Sequence, residues 1–365
     1  MARAPKPVEE RPAPDALEGV PLPRQGSALF GHAEAEAQLL EAYRSGRMHH
    51  AWLIAGPRGI GKASLAFRAA RFIFTHPDPS AAEAAADDLG VPADVPAARK
   101  ISAGVHPNLL HLQRDYDEKN SRYRVDLGVE VVRRLIPFLG NTAGEGAWRI
   151  VVVDTADEMT RSAANALLKS LEEPPRQTIF FLVSETPGRL PATIRSRSRL
   201  LRLRPLGSED MERALAAAGV ALPEGGEGAA ILALAEGSPR RAIELLREDG
   251  LAMHRLICEA IGRADAAAMH RVAELADNAR SGAFARFTDL LEGYLHRRVR
   301  ASAEPPGSIP PPALPLATWA ALWEKAAQSS REVETYNLDR RAFVLGLLEA
   351  CAGESRRARS PATAS

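Results

Sequence analysis

The stretch from His50 to Ile73, HAWLIAGPRGIGKASLAFRAARFI, is the part of the chain that decides its fold. An apolar run from Ala51 to Ala55 ends in the turn Gly56-Pro57-Arg58-Gly59-Ile60-Gly61-Lys62. A helical pattern follows, with Leu65, Ala69, Phe72 and Ile73 on one face. Strand, glycine-rich loop and helix in that order form a P-loop. Gly56, Gly59 and Gly61 let backbone N–H groups turn inward around a phosphate, the helix N-terminus adds its positive end, and Lys62 reaches the outer phosphates. The spacing predicts a nucleotide-binding α/β fold.

One position departs from the full motif. The residue after the lysine should carry a hydroxyl that ligates Mg²⁺, and here it is Ala63. Ser64 stands next, but one residue turns a helix by about 100°, so its hydroxyl points elsewhere. Two readings stay open: ATP still binds without that hydroxyl, or the loop keeps its shape and has lost the chemistry.

Downstream, Trp148 to Asp154, WRIVVVD, reads as a buried strand with a carboxylate at its C-terminal end. Ligands of open α/β sheets sit at that end, so Asp154 is a Walker B candidate for holding Mg²⁺; the alternative is a plain turn cap. ATPases of this kind follow the aspartate with a water-activating glutamate, and here Thr155 follows. Asp157 and Glu158 are expected in a solvated helix start. With both the hydroxyl and the glutamate missing, the sequence argues against hydrolysis. A further strand, Thr178 to Val183, ends at Ser184, Glu185 and Thr186. A polar residue there either touches a γ-phosphate or caps the loop.

At 365 residues the chain is long enough for two or three domains. Its formal net charge of +1 gives no overall pull towards nucleic acid or membrane. Cys258 and Cys351 are its two cysteines, too few for a disulfide framework or a four-cysteine zinc site, which fits a reduced cytoplasmic setting. No apolar run approaches the roughly 18 residues of a membrane span. Residues 1–27, rich in proline and charge, are expected to be a disordered leader.

Helices are expected at 33–43, 128–138 and 161–173, and a short strand at Leu109 to Leu112. Pro174-Pro175 stops the third helix. Residues 75–100 read as an inserted loop with a short helix. Arg195, Arg197, Arg199 and Arg202 alternate into a last strand, a pattern typical of a solvated face. From Pro205 short helices replace strands. Ser238 is an N-cap candidate with Pro239 at the first helical position, which places Arg240 and Arg241 in the first turn. Arginine there opposes the helix dipole, so these residues either serve another role or are merely exposed. Helical segments span 251–300 and 316–352 around a proline-rich link at 304–315, and 353–365 reads as a disordered tail.

These residues together resemble the delta-prime subunits of bacterial DNA polymerase III clamp loaders. The likeness rests on HHAWLIAGPRGIGK (His49 to Lys62), HPN (His106 to Asn108), AANALLKSLEEPP (Ala163 to Pro175) and LPATIRSRS (Leu190 to Ser198), and covers most of 28–250. It implies an AAA+ architecture: a RecA-like domain at 28–205 built on a parallel sheet, a helical lid at 206–250 and an all-α collar at 251–352 that joins a five-subunit ring. Ser196-Arg197-Ser198 matches the family's Ser-Arg-Cys motif with a serine in place of cysteine. Arg197 is then the arginine finger for a neighbouring subunit's ATP site, against its solvated-face reading. Arg240, in GSPRRA, matches the lid's sensor arginine, and Ser184 or Thr186 falls at the first sensor. The family's zinc module requires cysteines that residues 75–105 lack, so no metal is expected.

Gamma and tau motor subunits resemble the chain too, but are expected to keep the hydroxyl and glutamate missing at Ala63 and Thr155. The resemblance therefore implies a stator in a hetero-pentamer with gamma/tau and delta subunits. Through that complex it would act on the sliding clamp and primed DNA as part of the polymerase holoenzyme, with no polymerase activity and little or no ATPase activity of its own. Nucleotide binding by Gly56, Gly59, Gly61, Lys62, Asp154, Ser184 and Arg240 would be vestigial. Two rivals remain: an ATP-hydrolysing AAA+ motor or remodeller, and a non-catalytic DNA-binding module that uses Arg195, Arg197, Arg199 and Arg202 on phosphates.

Overall fold

The computed structural model describes residues 13–80, 87–119, 122–140, 148–247, 250–277, 283–303, 316–336 and 338–359. The chain divides into two units, the first made of Met1–Glu224 with Glu236–Arg240 and the second of Gly225–Ala235 with Arg241–Ser365.

The first unit is built on a parallel five-stranded sheet. Its strands are β1 (Ala51–Ala55), β2 (Leu109–Leu112), β5 (Arg149–Val153), β6 (Thr178–Ser184) and β7 (Arg199–Arg202), in the order β2-β5-β6-β1-β7. A small antiparallel hairpin, β3 (Tyr116–Asp117) and β4 (Arg122–Tyr123), lies outside it. Strands buried on both faces read as unbroken apolar runs, as β1, β5 and β6 do. Register places Ala51 beside Phe180 and Phe180 beside Val151, so small and large side chains alternate across one face.

That face, with Leu53, Val153 and Leu182, packs on Ala164, Leu167 and Leu171 of α6 (Arg161–Glu172) and on Val131 and Val132 of α4 (Val129–Arg133). On the sheet lies α2 (Lys62–Thr75), which meets β1, β5 and β6 and is braced by α1 (Ala33–Arg44). Helix α6 starts where Thr160 accepts a hydrogen bond from the Ala163 N–H at 3.2 Å, and it stops before Pro174-Pro175.

The expected helix over 128–138 is two: α4 ends at Arg133, and α5 runs Leu135–Gly140. Pro137 explains the break. It has no N–H to bond the Arg133 carbonyl and its ring crowds that group, whereas in the first turn of a new helix the missing donor costs nothing. The expected 75–100 insertion carries α3 (Pro96–Ser102), which begins inside it, and its Leu89 is buried, with the Leu89 N–H donating to Glu36 at 2.8 Å.

Two expectations of disorder need correction. Residues 13–27 of the expected leader lie on the first unit: Arg68 donates to the Ser27 carbonyl at 2.6 Å, Arg71 donates to the Arg24 carbonyl, and Arg24 donates to Ser102 at 3.4 Å. At the other end, the tail expected from 353 continues the last helix to Arg359. Its Glu354, Arg356, Arg357, Ala358 and Arg359 are strong helix formers, so lack of apolar periodicity there did not mean lack of structure.

Short helices α7 (Ala192–Arg195) and α8 (Ser208–Ala217) complete the first unit, and α10 (Pro239–Leu246) begins in it. The expected lid is not a unit by itself, since α9 (Gly226–Ala235) and most of α10 group with the second unit. That second unit continues through α11 (Gly250–Arg263), α12 (Ala266–Ala276), α13 (Ala283–Ala303), α14 (Leu316–Tyr336) and α15 (Arg340–Arg359). Helix α12 packs on α11, α13 and α15, and α13 packs on α14 around buried Phe287, Leu291 and Trp319. Among the described residues no helix is long and apolar enough to cross a membrane.

Phe180 is fully buried at the centre of the sheet. Phe180→Ala is expected to cost about 3–5 kcal/mol in urea unfolding, the range for emptying an aromatic site in a close-packed core.

Candidate functional site

The glycine turn between β1 and α2 lies at the C-terminal ends of the parallel strands, where the sequence predicts it. Gly56 donates its N–H to the carbonyl of Ser184, which ties the loop to the end of β6. A methyl group at Gly56 would lie 2.7 Å from the Leu203 carbonyl oxygen. Gly59 has φ +74° and is closely covered, because a Cβ there would meet Arg240 Cβ at 2.2 Å. Gly61 has φ +110°, a left-handed conformation at the helix start that favours glycine. The three glycines are thus required for backbone conformation or for close approach.

Neighbouring groups fasten the loop. His32, buried, donates through Nε2 to the Ile60 carbonyl at 2.7 Å, and the Ser238 hydroxyl donates to the Arg58 carbonyl at 2.8 Å. Ser238, read from sequence as an N-cap, therefore joins the start of α10 to the P-loop. Arg240 follows it, with its N–H 3.5 Å from the Gly59 carbonyl.

Lys62 is buried, and its ammonium donates to the carbonyls of Gly56 at 2.8 Å and Pro57 at 2.6 Å. Burial lowers its pKa, opposed by the nearby carboxylates Glu185, Asp157 and Asp154. Asp154 stands just past β5, where its carboxylate accepts the Thr155 N–H at 3.1 Å and lies 3.7 Å from His111 Nε2. His111 comes from the adjacent strand β2 and packs edge-on against Phe67 at 5.0 Å. Thr155 has φ +49°, an uncommon backbone for a β-branched residue and a place where strain is concentrated beside the site.

Asp157 and Glu158 stand, as expected, at the start of a short helical turn (Ala156–Glu158), but they are half-buried and have partners in the chain. Asp157 accepts the N–H groups of Thr186 at 2.8 Å and Glu185 at 3.2 Å, holding the loop after β6. Glu158 lies 3.5 Å from Arg114. Ser184, the first-sensor candidate, is fully buried at the end of β6, and its hydroxyl has no hydrogen-bond partner among the described residues. Thr186, the alternative, is engaged through its backbone.

The structure therefore gathers Gly56, Gly59, Gly61, Lys62, Asp154, Ser184 and Arg240 around one loop. Arg197 stands elsewhere, just after α7, where it donates to the Thr193 carbonyl at 3.0 Å and pairs with Glu172 at 2.9 Å. Ser196 and Ser198 bond the carbonyls of Thr193 and Ile194. Arg199 and Arg202 lie on β7 with exposed side chains, and Arg199 stacks over Trp52 at 4.9 Å. Three residues of the site had no sequence signal: Asp15, Arg58 and Arg114. Asp15 pairs with Arg58 at 3.1 Å and with Arg114, while Arg240 donates to the Asp15 backbone carbonyl.

These residues fit a loop that holds phosphate but not a complete Mg²⁺·ATP site. Ala63 brings no oxygen to a cation, Asp154 already faces His111, and Thr155 brings no carboxylate for activating water.

Residues 31–207 match the family described as DNA polymerase III, delta subunit. Among relatives, DNA polymerase III subunit delta' of Escherichia coli (strain K12) is 34% identical over 228 residues, covering 61% of this chain and 62% of that protein. The subunit delta' of Pseudomonas aeruginosa is 40% identical over 149 residues, covering 40% and 41%. DNA polymerase III subunit tau of E. coli is 28% identical over 193 residues, covering 53% and 27%. The chain thus spans less than two thirds of the length of these relatives.

Burial pushes the Glu158 carboxyl up to about 7, against the pull of Arg114, from an ordinary 4.5. Between those values the folded chain keeps a proton that the unfolded chain has lost. The contribution to stability is full below pH 4.5 and fades as pH rises through 7. With about a third of the side chain exposed, screening reduces it to the order of 1 kcal/mol. In urea unfolding at pH 5 and pH 7.5, the native chain should lose stability by that amount relative to Glu158→Gln.

Proposed function

We propose that this chain, a member over residues 31–207 of the family described as DNA polymerase III, delta subunit, is a clamp-loader stator. It occupies one place in a hetero-pentamer with gamma/tau and delta subunits, and offers Arg197 to the ATP site of a neighbour. ATP hydrolysis next door then opens the sliding clamp and sets it on primed DNA. The RecA-like domain at 28–205 supplies the finger, the 206–250 segment carries sensor Arg240, and the helices from 251 form the collar.

One observation carries this reading: the chain holds two halves of AAA+ chemistry that do not serve each other. Its P-loop lacks a cation-binding hydroxyl and a water-activating carboxylate. Its arginine finger has as hydrogen-bonding and ionic partners, among the described residues, only Thr193 and Glu172. An arginine stabilises a transferring phosphoryl group from the same chain or from a neighbour, and the partial exposure of Arg197 supports the reading that it serves a second subunit. Release from Glu172 is inexpensive, since an exposed ion pair contributes about 0–1 kcal/mol. The guanidinium is held in a defined place until a better anion meets it.

Arg197→Ala in the reconstituted clamp loader is expected to slow turnover at the adjacent ATP site by roughly 10²-fold or more, with the complex still assembled by gel filtration. Arg197→Lys should recover only part of it, because a point charge does not reproduce the planar fork. Unchanged turnover in an assembled Arg197→Ala complex would remove Arg197 as the finger.

A further inference from the structure

Asp15 is an unusual residue to find beside a P-loop. It lies in the proline-rich N-terminal segment and has φ +58°, a left-handed backbone that aspartate tolerates better than most side chains. Its carboxylate faces Arg58 of the P-loop at 3.1 Å and also Arg114, and its backbone carbonyl receives Arg240. These arginines approach from widely separated parts of the chain, 43, 99 and 225 residues away. Arg114 also faces Glu158 at 3.5 Å, so it lies between two carboxylates.

We propose that Arg58, Arg114 and Arg240 form a seat for a polyphosphate anion on the lip of the P-loop, and that Asp15 is an intramolecular stopper which such an anion must displace. Two of the three arginines are attached to the loop itself: Arg58 belongs to it, and Arg240 follows Ser238, whose hydroxyl bonds the Arg58 carbonyl. A polyphosphate held by the loop would extend towards this seat, and planar guanidinium groups are suited to phosphate oxygens. A carboxylate brings one negative charge to the cluster, whereas a triphosphate brings about three or four. Neither Arg197 nor any neighbouring subunit takes part in this contact.

The physical state of the contact fits a stopper better than a structural rivet. Asp15 and Arg58 are 38% and 37% exposed, and an ion pair of that exposure is weak and screened by salt, while the less exposed Arg114 keeps Glu158 as a second carboxylate partner. What keeps it in place is tethering. The segment is fastened nine residues later, where Arg71 holds the Arg24 carbonyl, and then where Arg68 holds Ser27. A tether that short gives the carboxylate a local concentration of order millimolar. Although burial raises the carboxyl, Arg114, Arg58 and Arg240 hold it below its ordinary value, so it is ionised throughout the physiological range. A competing anion therefore meets a charged occupant rather than an empty seat.

Population arithmetic sets the size of the effect: if the stopper is closed about nine times in ten, the apparent dissociation constant rises about tenfold. The test is a titration of the full-length chain and Asp15→Asn with inorganic tripolyphosphate and, separately, with a fluorescent ATP analogue in Mg²⁺. Asp15→Asn should bind about tenfold more tightly, and adding Arg114→Ala to it should cancel the gain. Gain for both ligands assigns the seat to phosphate alone, and gain for the ATP analogue only assigns it to a nucleotide. In the native chain, a saturating amount of the same ligand should speed amide exchange across residues 13–23. Equal affinities of the native and Asp15→Asn proteins, no binding to either, or a gain that survives Arg114→Ala would overturn the proposal.

Discussion

The close approach of Arg240 to Gly59 is the constraint on which the site depends. A Cβ at Gly59 would overlap Arg240 Cβ, so the start of α10 can lie against the P-loop only because the loop offers bare backbone there. Ser238 then reaches the Arg58 carbonyl, His32 takes the Ile60 carbonyl, and Lys62 binds the carbonyls of Gly56 and Pro57. The loop's shape is thereby over-determined by contacts that involve no metal-binding hydroxyl and no water-activating carboxylate. A turn held in this way keeps its shape independently of the groups absent at Ala63 and Thr155.

Charge is divided in a corresponding manner. Around Lys62 gather Asp154, Asp157 and Glu185, and a short distance along the same loop Arg58, Arg114 and Arg240 gather around Asp15. The two clusters carry opposite excess charge, three carboxylates around one ammonium in the first and three guanidinium groups around one carboxylate in the second. Arg197, on the surface, is paired with Glu172 without being buried.

The sheet, the P-loop and α6 were legible in the sequence because each leaves a local signal. Strands β1, β5 and β6 are continuous apolar runs, α6 repeats its leucines at helical spacing, and the turn needs glycine where its backbone does. The split between α4 and α5 was equally available in Pro137, whose effect on the carbonyl of Arg133 is a local rule. Asp15 was not legible, since its partners lie up to 225 residues away and a lone aspartate among prolines has no periodicity to read. The pairing of Glu158 was hidden for the same reason, as Arg114 enters from a different strand connection. Helix to Arg359 escaped a reading tuned to apolar faces, and residues 304–315 lie outside the described structure.

Phosphate release by the isolated full-length chain in Mg²⁺·ATP, with Lys62→Ala measured beside it, tests most directly whether the loop has kept its shape and lost its chemistry. The account predicts no release that depends on Lys62, whether or not nucleotide binds. Saturable release that Lys62→Ala abolishes would contradict it and make this chain a motor.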